Sequence, residues 1–147
     1  MKALLLATMV SSLVFVSCAN ESEPRQRTLT DSLQKEVLDG HDVGMAKMRK
    51  LTQLQAESKR LIDSIQKLPA KAKTAATPYL NQLDSLIKEL QSAEVGMNSW
   101  MTEFNLDSAM DNEELRAKYL ADEKLKVNRV KDAILASIAK ADTLLKK

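Results

Sequence analysis

The chain has 147 residues, with 22 Lys and Arg against 20 Asp and Glu, giving a formal charge of +2. That balance, with no block of five like charges, gives no argument for a nucleic-acid partner. Aromatics make up 3% of the chain, and three Gly and three Pro leave too little turn material for a β-sandwich or barrel; 44% apolar and 29% charged residues instead fit helices with one buried face. The length allows one domain.

Lys2 precedes an apolar stretch from Ala3 to Val16, broken only by small hydroxyls. It is too short for a stable span of a ~30 Å hydrocarbon core and reads as a secretory signal over residues 1–17. Phe15-Val16-Ser17-Cys18 resembles the lipobox of bacterial lipoproteins, in which the cysteine becomes the first mature residue and is acylated. The resemblance implies lipidation at Cys18 and a lipid bilayer as partner, since more than one acyl chain anchors stably. Cys18 is the only cysteine, so no disulfide forms within the chain. The alternative is a conventional signal peptide that leaves Cys18 as a free thiol. Ala19 rather than Asp after the cysteine resembles the enteric sorting pattern for the outer membrane. Glu21 and Glu23 weakly resemble the surface-export tags of some lipoproteins, which leaves the periplasmic and external faces both open. Residues 18–27, almost without apolar side chains and carrying Pro24, read as a flexible tether of up to ~30 Å.

Residues 28–147 read as an all-α, antiparallel up-down-up bundle of three long helices. Thr28 with Asp31 resembles a capping box, and Leu33, Val37, Met48, Leu51, Ile62 and Ile65 follow helical spacing as far as Leu68, where Pro69 stops the helix. Ala70 to Thr77 reads as a loop. Thr77 is a plausible N-cap with Pro78 behind it, and Tyr79, Leu83, Leu86, Leu90, Ala93, Met97, Met101 and Phe104 then share one face of the second helix. Asp111 with Glu114 suggests the next cap. The third helix runs from Asn112 to Lys146, facing inward with Leu115, Tyr119, Val130, Ile134, Ile138, Ala141 and Leu145. Glu113, Glu114, Asp122 and Glu123 read as solvated surface.

The methionines carry the chemical signal. His41, Met45 and Met48 stand at i, i+4 and i+7 on the first helix, and Met97 and Met101 stand one turn apart on the second, beside Trp100. If the hairpin closes between Lys67 and Pro78, Met48 lies 19 residues before it and Met97 19 after, while His41 and Phe104 are both 26 away. At ~1.5 Å rise per residue these pairs match in height to within about one turn. Gly40, Gly44 and Gly96 fall in the same layer, leaving room for a bound group or for backbones to approach.

Thioether sulfur needs no deprotonation and prefers Cu(I) over hard ions, and a neutral imidazole also suits copper. His41, Met45, Met48, Met97 and Met101, with the Trp100 ring as a cap, therefore make a coherent Cu(I) ligand set. Haem held by His41 and one Met is a second cofactor reading, although no Cys-x-x-Cys-His is present and three helices leave little room for a porphyrin. One His and no free Cys make a poor zinc set. The bland reading is that Met fills irregular core gaps and packs against aromatics.

Gly-His41-Asp-Val-Gly-Met45-Ala-Lys-Met48 and Met97-Asn-Ser-Trp100-Met101-Thr-Glu-Phe104 resemble the two signatures of a group of small bacterial lipoproteins. That group is labelled viral A-type inclusion protein-like, a label that conveys no activity. Ala46 stands where the group often has Pro, which implies a straighter first helix. The sequence thus leaves two function classes. One is an anchored lipoprotein that stores or delivers Cu(I); the other is a structural or partner-binding helical lipoprotein whose Met layer is core. No nucleophile–base pair suggests an enzyme.

Overall fold

The computed structural model describes residues 28–146, which form four helices: α1 (Leu29–Gln66), α2 (Ala70–Ala75), α3 (Thr77–Glu103) and α4 (Glu113–Leu145). The described residues are all-helical, without a strand. The expected signal peptide (1–17) and tether (18–27), and with them Cys18, lie outside the described residues.

The start of α1 follows from its first four residues. Thr28 Oγ1 accepts the Asp31 N–H at 3.1 Å and the Thr28 N–H donates to the Asp31 carboxylate at 3.3 Å, closing the capping box. α1 ends two residues earlier than expected, with Lys67 as its C-cap. Pro69 disfavours helical geometry at the residue before it.

Three expectations about the connections are corrected. Ala70–Thr77, read as a loop, contains α2, because Ala and Lys favour a helical turn even without an apolar stripe. Thr77 is not the cap of α3. Ala76 holds that position in helical geometry, and the Thr77 hydroxyl donates back to the Lys73 carbonyl at 3.4 Å. At α4 the cap is Asn112, whose Oδ1 accepts the Leu115 N–H at 3.0 Å, in place of Asp111.

Burial follows a heptad pattern on all three long helices, with steps of three, four or seven residues. The seams are Val37, Gly40, Gly44, Leu51, Leu54 and Ser58 on α1; Leu83 to Trp100 on α3; and Leu120, Glu123, Val127, Ile134, Ser137, Ala141 and Leu144 on α4. The expected α3 face is present with one exchange: Trp100 is buried and Met101 is 39% exposed. The expected α4 face is corrected by a rotation. Ile134 and Ala141 are buried, Leu115 is exposed, and Tyr119, Val130, Ile138 and Leu145 flank the core. The polar seam residues Glu123 and Ser137 hide the true heptad from a count of apolar side chains.

Contacts between α1 and α4 pair Gln34 with Arg116, Glu36 with Lys124 and Lys50 with Asp142, both numbers rising together. Contacts between α1 and α3 pair His41 with Met101 and Gln55 with Glu94. Those between α3 and α4 pair Tyr79 with Leu144, Glu89 with Lys140 and Trp100 with Glu123. In both of these sets one number falls as the other rises. Two seam glycines bring the helices close at the His41 level. A Cβ on Gly40 would stand 3.1 Å from Val127 Cγ1, and one on Gly44 only 2.3 Å from Met97 Cε.

Candidate metal site

His41 is carried on α1 between the seam positions Gly40 and Gly44, with its side chain 25% exposed. Its Nδ1 lies 3.0 Å from Asp42 Oδ1. An ionised carboxylate only accepts, so this bond assigns a proton to Nδ1 and, in the neutral ring, leaves the Nε2 lone pair open. Nε2 lies 3.3 Å from Met101 Sδ, across the α1–α3 interface. In that tautomer two lone pairs face each other with no proton between them. A carboxylate bound to the far nitrogen is also the arrangement that orients metal-ligating histidines.

The indole beside this pair is held firmly. The ring centroids of His41 and Trp100 are 5.6 Å apart with the planes tilted by 37°. Trp100 Nε1–H donates to Glu123 Oε2 at 2.9 Å, and the other carboxylate oxygen of Glu123 accepts from Lys126 Nζ at 2.7 Å. That hydrogen bond pushes the Lys126 ammonium pKa above its ordinary value. Glu123, read from the sequence as solvated, is only 4% exposed. It is the site residue that sequence reasoning missed, and the signal was its place in the α4 heptad. The ring stack continues from Trp100 to Phe104 at 4.8 Å and from Phe104 to Tyr119 at 6.2 Å. Tyr119 OH accepts the Asn105 N–H at 2.8 Å, pinning the start of the α3–α4 loop.

The five expected ligands are distributed as follows. His41 and Met101 converge beneath Trp100. Met45 is exposed, one turn beyond His41, and Met48 is half-buried against the core. Met97 is fully buried, its methyl seated over Gly44. The heights expected from the hairpin are met to within one turn, with His41 level with Met101 rather than Phe104. Among the described residues no three His, Cys, Asp or Glu side chains gather. No described helix is long and apolar enough to cross a membrane.

Fold and site together define an all-α protein with an imidazole and a thioether paired across two helices. No protein family, curated protein or solved structure matches the chain.

Proposed function

We propose that the chain is an envelope lipoprotein, anchored through an acylated Cys18, that binds one Cu(I) between α1 and α3. His41 Nε2 and Met101 Sδ are the principal donors, Met45 is the nearest further sulfur along α1, and the Trp100 ring lies over the ion. The observation that carries this reading is the 3.3 Å separation of Nε2 and Sδ, with Asp42 on the far ring nitrogen. First-row metal bonds of about 2.0 Å to nitrogen and about 2.3 Å to sulfur, at a trigonal angle, need the two donors ~3.7 Å apart. Opening by a few tenths of an ångström lies within a small rotation of Met101, which is partly exposed and has three rotatable bonds. The architecture we propose beneath the site is an up-down-up, antiparallel three-helix bundle with α2 inside its first connection. The order of the cross-helix pairs supports it.

The test is retention of Cu(I) against a competing chelator at sub-micromolar free metal. The full chain is expected to hold about one equivalent. The combined His41→Ala, Met45→Leu and Met101→Leu variant should lose it with its helical circular dichroism intact, and equal retention by that variant would reject the reading. The second reading is a structural or partner-binding lipoprotein whose sulfurs only pack. It is favoured by Met97, whose methyl fills the space over Gly44 as an ordinary core side chain. It requires the chain to lose Cu(I) to the chelator completely and to keep its helicity without metal.

A further inference from the structure

Resting on the Cu(I) reading above, we infer that the site is built to hand its ion on by associative exchange to a thioether-bearing partner, rather than to store it. The observation is how burial divides the methionines. Met97 is completely enclosed, and its terminal methyl is wedged over Gly44, where even a Cβ would approach to 2.3 Å. Met101 and Met45 remain 39% and 37% exposed, and Leu38, one turn before His41 on the same side of α1, is 38% exposed. The His41–Met101 pair thus lies beside the Trp100 ring, with partly exposed side chains next to it on α1. A storage site for Cu(I) would enclose its soft donors; here the sulfur paired with His41 and the next one along α1 both reach solvent.

The step is a ligand substitution. A thioether sulfur of the partner adds to Cu(I), forming a new Cu–S bond while His41 Nε2 and Met101 Sδ still hold the ion. The Cu–S bond to Met101 then breaks; a second partner thioether adds, and the Cu–N bond to His41 breaks, leaving the ion on two partner sulfurs. Thioether sulfurs and a neutral imidazole carry no proton to release, so no proton or electron moves and copper stays Cu(I) throughout. The apolar rim of Leu38, Met45 and Met101 suits a partner that surrounds its own sulfur donors with apolar side chains, because such a contact excludes water from the exchanging ion.

The experiment loads the full chain with one equivalent of Cu(I) under anaerobic conditions and follows release to a thioether donor, a Met-x-x-Met peptide, in excess. The observed rate is expected to rise in proportion to peptide concentration, tenfold for a tenfold increase. Met97→Leu, which alters only the enclosed sulfur, should leave both the stoichiometry and that slope within twofold of the parent chain. A rate independent of peptide concentration would overturn associative exchange and leave Cu(I) binding standing. A strong slope change in Met97→Leu would overturn the division of sulfurs on which the inference rests. Failure to retain Cu(I) in the loading step would instead remove the binding reading beneath it.

Discussion

Among the described residues Trp100 is the one large aromatic side chain that the core encloses, and its indole N–H donates to the Glu123 carboxylate. Removing a buried acceptor leaves the donor with its full desolvation penalty, about 1–3 kcal/mol. Glu123→Ala is therefore expected to lower unfolding stability by that amount in urea titration. Glu123→Gln, which keeps an oxygen acceptor, should lose distinctly less. Trp100 is the only tryptophan, so its emission reports the same event. The glycines offer a second contrast. At Gly96 a Cβ would meet nothing closer than Val130 at 3.8 Å, at the edge of an open groove between α3 and α4. Gly96→Ala should thus stabilise the chain by about 0.5–1 kcal/mol through helix propensity alone. At Gly44 the added methyl would stand 2.3 Å from the flexible end of Met97, which must turn aside within the core and offsets much of the same propensity gain. Thermal melts should therefore shift upward more for Gly96→Ala than for Gly44→Ala.

Along the helices, ion pairs tie neighbours together at the solvent edge, and the Glu89–Lys140 pair between α3 and α4 carries a defined pH signature. The hydrogen bond from Lys140, helped by the Ser85 hydroxyl, holds the Glu89 carboxyl below its ordinary pKa. A carboxylate with a depressed folded pKa contributes stability that is present above its unfolded pKa and lost as pH falls through the folded one. Both partners are more than a third exposed, so screening keeps the contribution under about 1 kcal/mol. The stability difference between the parent chain and Glu89→Gln is expected to be small at neutral pH and to vanish on acidification below the carboxylate range; a difference that grows in acid would contradict the assignment. The legibility of these elements from sequence follows from the signals they use. The α1 cap was readable because Thr28 and Asp31 satisfy each other locally. The core face of α3 was readable because nearly all of its seam is apolar. The α4 face was misjudged because two seam positions are polar, and α2 was missed because six residues of Ala, Lys and Thr bury nothing. At the site, helical register placed His41 beside the second helix, but register does not resolve Met101 from Phe104, one turn apart. Which sulfur faces solvent depends on packing over Gly44, which spacing along the chain does not encode.

For the whole molecule, the paired donors lie far from the connection that joins their helices: His41 and Met101 are 60 residues apart in sequence and meet at the opposite end from α2. An unfolded chain does not hold them together, so an ion bound there binds the native state selectively and adds its binding energy to folding. At free Cu(I) a hundredfold above the dissociation constant that linkage is about 2.7 kcal/mol. At ~4 °C per kcal/mol for a domain of this size, the midpoint should rise by on the order of 10 °C. The helices have their caps and apolar seams without metal, so the far-ultraviolet circular dichroism before melting should be the same with and without Cu(I). The expected outcome is thus a shifted transition between unchanged baselines. Met101→Leu, an apolar replacement of similar volume, should keep the metal-free midpoint within a few degrees while abolishing most of the shift. A midpoint that ignores Cu(I) in the parent chain, measured anaerobically at the same excess, would leave the 3.3 Å contact between Nε2 and Sδ as packing between two helices.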